Sequence, residues 1–493
     1  MEYFHHIPCG ARIPENNPHA VSVSLPTVSD VIGYEEGSPA VVDKMQNAYP
    51  RFRLNKLVQS VHDYIKTELA IGDNEEIIPV SSIAAVSKIE RHIGKSCRKV
   101  IMDDRAFILE DKDSSCLSAI KELRQHAGLI LSSRKAEDYL LNNRLLDHRF
   151  DEDLESEESA VNTIKTTLAE AYGMAGHDDI FLCSAGTNGV YAAFEALKAK
   201  RGPSGKNIFI QYGWLYMDTM EIIRKYSEKN FIYLNISDSA ELEQYILDNA
   251  GSIAAVFTEV PNNPLIQCID LPKLSALLKK NDIPLVIDAT VASAYTVEVM
   301  EYSDIAVESL TKFACGHGDV LMGAVLLNKN SQTAQSLRDV MNDYAEMPYI
   351  RDLQRLAIEI KGYRQRVEKV SQNTFDLVRH LSDSDKIKRV NWAMDYLSCR
   401  NYLKIRKNED LVPGVISVIF NGNLSEYYDE LPVAKGPSFG TEFTLAMPYV
   451  LLAHYDMLQN EAGRSRLDQL GLDPGLLRIS VGTEPVSDLL ALF

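Results

Sequence analysis

The sequence predicts an α/β fold: a large domain built on a mostly parallel sheet, followed by a smaller α+β C-terminal domain. Three observations predict it. Between Ile180 and Asn249 short β-rich runs alternate with helical stretches, the order expected of a parallel sheet with helices on both faces. Pro284–Asp288 is an apolar, β-branched run that closes on a carboxylate, as a buried strand does when it delivers a polar group to the ligand edge of such a sheet. Beyond a long helical stretch from Ser331 to Ser382, new strand patterns appear at Gly414–Phe420 and Leu477–Ser480. A second domain therefore follows the first.

The elements can be taken in order. Residues 1–60 hold few helical patterns and many turn formers, as in Ile13-Pro-Glu-Asn-Asn-Pro18, and read as an extended arm. Residues 61–150 read as a small α/β insertion. In it Val80–Ile93 is an amphipathic helix with Ser81 or Ser82 as N-cap, Arg98–Met102 and Ala106–Glu110 are strands, and Cys116–His126 is a second helix. The large domain spans 151–335. It opens with a helix from Glu155 to Met174. Strands follow at Ile180–Cys183, Asn207–Gln211 and Phe231–Leu234, with helices at Val190–Lys200, Met217–Tyr226 and Ala240–Asn249. Residues 336–493 complete a linking helix and the small domain, where Tyr402–Arg406 also reads as a strand.

Composition narrows the function. The 493 residues exceed what one core organises. A net charge of −18 and a pI near 5.1 argue against nucleic acid or an acidic membrane surface as a partner. The seven cysteines are scattered without metal-type spacing, and no basic start with an apolar run opens the chain, so reduced thiols and a cytoplasmic location are expected. No metal is expected, and no apolar run is long enough to span a bilayer.

The chemistry centres on Asp304–Asp319. A β-rich run ends in Ser309, Thr311 and Lys312 and passes into a turn at Gly316 and Gly318. A lysine at such a junction can form a Schiff base while the adjacent hydroxyls bind a phosphate. With a carboxylate for a pyridinium nitrogen, supplied by Asp288, these are the demands of pyridoxal phosphate (PLP). Upstream, Ile180–Leu197 runs from a strand through a glycine turn into a helix, whose free N–H groups are a ready phosphate site. Ala254–Pro264 repeats the form of a strand followed by a polar loop.

The blocks Thr258-Glu-Val-Pro-Asn-Asn-Pro-Leu265, Val286-Ile-Asp-Ala-Thr290 and Ser309-Leu-Thr-Lys-Phe313 with Gly316-His-Gly-Asp-Val320 resemble the Cys/Met-metabolism PLP enzymes, the cystathionine γ-synthase family. His19–Thr27, Tyr49-Pro-Arg-Phe52 and Lys435–Tyr449 are more narrowly similar to the long, fungal-type cystathionine γ-synthases. The resemblance implies the aspartate aminotransferase-like architecture, PLP fold type I. It implies that Lys312 carries PLP, that Tyr216 stacks on the ring and Asp288 holds its nitrogen, and that the amides of Gly189 and Val190 with Ser309 and Thr311 hold the phosphate. Tyr49 and Arg51 would reach that phosphate from a neighbouring subunit, making a homo-oligomer, a dimer or tetramer, acting on small amino acids. Arg478, completed by Ser438 and Asn263, would bind the substrate carboxylate. The implied reaction is γ-replacement on O-acetyl- or O-succinyl-L-homoserine with cysteine, through a β,γ-unsaturated, vinylglycine-type intermediate. The alternative is γ-elimination or a specialised γ-substitution, for example on a γ-halogenated amino acid. The sequence departs from the family at Asn188-Gly-Val190, Asp288-Ala-Thr290 and Tyr216-Met-Asp-Thr219, which bears on substrate identity. A cofactor-free scaffold is disfavoured because Lys312, Asp288, Arg478 and the Tyr-x-Arg pair occur together.

Overall fold

The computed structural model describes residues 4–47, 49, 53–102 and 105–493. A seven-stranded sheet forms its centre, in the spatial order Ile180–Cys183, Gly323–Leu327, Ile305–Ser309, Leu285–Asp288, Ile253–Glu259, Ile208–Tyr212 and Lys229–Tyr233. Only Gly323–Leu327 runs antiparallel to its neighbours. Every residue of Ile253–Glu259 is buried, as expected of a central strand covered on both faces. One face packs against the helix Gly186–Arg201, the other against Glu157–Ala171 and Tyr363–Ser382. The strand ends at Asp288, Glu259 and Ser309 lie side by side, since Asp288 is in register with Glu259 and with Val307.

Local chemistry accounts for many boundaries. The helix Glu157–Ala171 starts where the Ser156 hydroxyl accepts the amide of Ser159, and two glutamates in its first turn favour the helix dipole. In the insertion Ser82 caps the helix Ile83–Ile93, which stops at Gly94 in the left-handed region, φ 67°. The insertion itself is a three-stranded antiparallel sheet, Glu75–Val80, Arg105–Asp111 and Arg98–Met102. The helix Lys56–Glu68 packs with this insertion rather than with the arm.

The small domain carries five strands in the order Ile387–Asn391, Val415–Phe420, Leu477–Ser480, Leu445–Pro448 and Ala434–Lys435. The stretch expected as one long helix is divided into Gln332–Ser336, Arg338–Tyr344, Ile350–Glu359 and Tyr363–Ser382. Tyr402–Arg406 is not a strand. Cys399–Tyr402 is a short helix, fixed by the Tyr402 hydroxyl donating to the carbonyl of Leu411 at 2.8 Å. Among the described residues no helix is long and apolar enough to cross a membrane.

Candidate active site

The strand ends, the start of the helix Gly186–Arg201, Tyr49 of the arm and Phe439 of the small domain enclose a cleft. Lys312 enters it from the turn after Ile305–Ser309. Its side chain is buried, and Nζ donates to Ser438 Oγ at 2.8 Å and to Tyr49 Oη at 3.2 Å. Asp288 lines the same cleft, and its Oδ1 accepts the amide of Thr290 at 2.9 Å. Burial pushes its carboxyl upward, opposed by the hydrogen bonds from Thr290 and the charge of Lys312. A cationic ring nitrogen placed against it would favour the charged form.

The phosphate end differs in detail from expectation. The helix begins at Gly186, with Ala185 as an N-cap that offers no side-chain cap, so its first amides are open to an anion. The amide of Gly189 already donates to the carbonyl of Ala185 at 3.2 Å. The Gly189 amide, expected to serve the phosphate with that of Val190, is thus engaged within the helix, and the amides left open at the helix start are those of Gly186 and Thr187. Gly189 is instead a packing glycine: a Cβ there would stand 3.1 Å from Val307 Cγ1. Val190 lines the cleft with its side chain. At Gly186 a Cβ would come within 2.6 Å of the Ser309 Cβ, so only glycine leaves room between the helix start and the Ser309 hydroxyl. Thr311 also lines the cleft, with Oγ1 accepting the amide of Met322 at 3.1 Å.

Tyr216 is the N-cap of Met217–Tyr226 and lines the cleft. Its amide donates to Glu259 Oε1, which fixes the backbone that carries the ring. Its neighbours do not share the role: Tyr212 is a core residue and Trp214 packs edge-on against His454 at 5.0 Å. Arg478, on the strand Leu477–Ser480, is buried; Nη2 donates to the Ser438 carbonyl at 2.6 Å and Nη1 to Asn263 Oδ1 at 3.4 Å. Its partners are neutral, and burial lowers its pKa to about 10.

Tyr49, expected at a neighbouring subunit's site, meets Lys312 within the single chain described. The Val21 amide donates to the Gly318 carbonyl at 2.9 Å, Leu25 to Lys435 at 2.9 Å, and the Asn55 side chain to Asn47 Oδ1 at 3.0 Å. Arg51 lies outside the described residues.

Among the cleft residues that escaped the sequence reading are Glu259, Thr290, Ile130 and Phe439. Glu259 ends its strand as Asp288 does, and that parallel was its available signal. Burial, with the charge of Asp288 added, pushes its carboxyl well above the usual range. Thr290 Oγ1 accepts the Ser309 amide at 2.8 Å and so joins two strand ends. Ile130 arrives from the insertion through long-range packing, which leaves no local pattern. Asn188, noted as a departure, is explained: it donates to the carbonyl of Ala127 at 2.9 Å and accepts the amide of Glu346 at 2.7 Å.

An uncapped helix start facing a serine hydroxyl, a buried lysine and a buried carboxylate at a strand end fit PLP. Residues 160–493 match the family described as Cys/Met metabolism PLP-dependent enzyme. The chain is 35% identical over 480 residues to an L-2-amino-4-chloropent-4-enoate dechlorinase/desaturase from Streptantibioticus cattleyicolor, covering 97% of this chain and 96% of the relative. It is 27% identical to a cystathionine gamma-synthase from Neurospora crassa, covering 98% and 97%. The fold is that of a cystathionine gamma synthase from Xanthomonas oryzae pv. oryzae, with a TM-score of 0.56 and 20% identity over 67% of this chain and 84% of that one. The chain belongs to the Cys/Met-metabolism PLP-dependent enzymes, and pyridoxal 5'-phosphate is its cofactor.

Proposed function

We propose that this enzyme eliminates hydrogen chloride from a γ-chlorinated α-amino acid, the class of reaction borne in the name of the S. cattleyicolor relative. The observation that carries the reading is that the described site offers one guanidinium, Arg478, for one α-carboxylate. Ile130, Val190, Val291, Leu321 and Phe439 make much of the remaining wall apolar. Joining a second amino acid such as cysteine requires a second carboxylate to be held, and a succinyl leaving group requires one as well. A compact, apolar γ-substituent requires neither. The greater identity to the dechlorinase/desaturase than to the cystathionine synthase supports the same reading.

The bound cofactor supplies an electron sink that acidifies Cα–H and then Cβ–H. Arg478, with Asn263 and the Ser438 carbonyl fixing its plane, holds the substrate carboxylate and so sets which bond at Cα is presented. Lys312 is the base that moves protons at Cα and Cβ; Ser438 Oγ and Tyr49 Oη, both within reach of Nζ, steady it in the cleft. Asp288 would pair with the ring nitrogen, Tyr216 would cover the ring face, and the Gly186 and Thr187 amides with Ser309 and Thr311 would hold the phosphate. The apolar wall keeps water from the γ-carbon. In balance, the substrate loses one proton and one chloride and gains one unit of unsaturation.

The test is to mix PLP-loaded enzyme with L-2-amino-4-chloropent-4-enoate and follow chloride release and product mass. A parallel sample receives O-acetyl-L-homoserine with and without cysteine. Stoichiometric chloride with a product lighter by HCl is expected. Cystathionine formed only with cysteine, without chloride release in the first sample, overturns the reading in favour of γ-replacement.

A further inference from the structure

Phe439 is buried, and its ring touches both cations of the site: Lys312 Nζ is 4.8 Å from the ring centroid and Arg478 Cζ is 5.2 Å from it. Phe439 belongs to the wall of the cleft, whereas Arg478 does not reach that wall. The guanidinium has no carboxylate among its hydrogen-bond partners in the described residues; it meets Asn263 Oδ1, the Ser438 carbonyl and Met447 Sδ. Two aromatic rings lie on the guanidinium, Phe439 at 5.2 Å and Tyr449 at 5.5 Å, and of the two only Phe439 lines the cleft, so its ring is the compensation that the cleft side gives to this charge.

The backbone around the ring is held. Ser438 has φ 98°, a conformation that a non-glycine residue adopts only under constraint. Gly440, with φ 77°, donates its amide to Ser480 Oγ at 2.7 Å. A Cβ on Gly440 would stand 2.6 Å from the Phe313 nitrogen and 2.9 Å from Lys312 Cβ, so the loop lies directly on the lysine turn. Any displacement of the ring must come from rotation of its own side chain.

We propose that Phe439 is a recognition residue that covers Arg478 in the resting enzyme, and that the α-carboxylate of an entering amino acid displaces it. A free carboxylate gains a charge-assisted, bidentate partner and replaces the weaker ring contact. A molecule lacking that carboxylate has nothing to exchange for it. The ring thus makes a free α-carboxylate a condition of entry.

The proposal rests on Arg478 as the carboxylate receptor but not on the identity of the γ-substituent, so its test uses L-alanine, which has no γ-carbon. Binding of L-alanine to the holoenzyme is titrated through the cofactor's visible absorption, for the wild type, Phe439→Leu, and a protein with pentafluorophenylalanine at 439. The fluorinated ring keeps the shape and removes the attraction for cations. Both changes are expected to lower the Kd about three- to ten-fold, the equivalent of one lost cation–π contact. A residue that only packs would leave Kd unchanged or raise it, and either result with the fluorinated ring overturns the proposal even if Phe439→Leu fails to fold. Arg478→Gln separates the underlying assignment: it is expected to abolish L-alanine binding with PLP retained. Wild-type affinity in that variant overturns the receptor assignment, and the covering role with it.

Discussion

Two sets of buried arginines sit within this chain, and they are treated in opposite ways. Arg134 is fully buried and surrounded by acid: Glu152 at 2.7 Å, Asp352 at 3.1 Å and Asp319 at 3.4 Å. Arg351 beside it meets Glu137 at 2.8 Å, Asp138 at 2.9 Å and Glu152 at 2.9 Å. Burial alone would weaken the hold of Arg134 on its proton, yet Asp319, Glu152 and Asp352 outweigh it and raise the pKa. At Arg478 no acid intervenes, and burial lowers the pKa to about 10. A saturated arginine joins elements: Arg134 ties the insertion's exit to the Gly316–Asp319 turn and to the helix Ile350–Glu359. Arg478, without such acids, is the one we propose receives a ligand. The comparison teaches that burial alone does not set the state of an arginine here; the acids placed against it do.

The contrast can be broken by substitution. Changes in the cleft should cost function without stability, and changes in the cluster should cost stability first. The largest effect is expected at Lys312→Ala, with turnover reduced by more than about 10³-fold and the cofactor's visible band lost, while the thermal midpoint of the apoprotein stays that of wild-type apoprotein. Arg134→Met leaves three buried carboxylates short of their cation and should lower unfolding free energy by about 3–5 kcal/mol in a urea titration. An unchanged midpoint there would refute the structural role. Arg478→Gln is expected to cut kcat/KM by about 10²-fold and to leave the urea midpoint equal or slightly higher, since an uncompensated buried cation is removed.

A third buried charge sharpens the rule from the acidic side. Glu308 receives the hydroxyls of Tyr172 at 2.6 Å and Tyr363 at 2.5 Å; the charge of Lys407 acts on it, but it forms no ion pair among the described residues. Burial raises its pKa from 4.5 to about 7. An acid raised on folding resists ionisation in the folded state. Its contribution is therefore intact below the unfolded value of 4.5 and lost as pH climbs through the folded value. The wild type should lose stability between about pH 5 and 8 by about 2 kcal/mol relative to Glu308→Gln. Parallel urea midpoints for the two proteins across that range would show the group to be already paired.

Much of this was written in the sequence, for identifiable reasons. Buried parallel strands ending in a charged residue are conspicuous, and Asp288 and Lys312 met in one cleft as their positions at strand ends required. The open amides were harder to read because the glycines of Gly186-Thr-Asn-Gly189 read as one turn. Sequence cannot distinguish a glycine that opens a helix from one that lets the helix lie close to Val307. Phe439 and Ile130 were illegible for another reason: each reaches the cleft from a distant part of the chain. Tyr402–Arg406 had a strand's composition, but tertiary hydrogen bonds decided its form.

The exit of the insertion has one further consequence. Gly128 rests on the start of the helix Gly186–Arg201; a Cβ there would lie 2.8 Å from Thr187 Oγ1 and 3.0 Å from the Asn188 nitrogen. Ser184 and Asn188 then fasten the carbonyls of Gly128 and Ala127 to it, each at 2.9 Å. The insertion is therefore no detachable module. Anyone shortening this enzyme toward its compact relatives, or grafting its extra domain elsewhere, would have to cut before Ala127 and leave the return segment behind. A seam placed any later would run through the contacts that hold the start of the helix Gly186–Arg201.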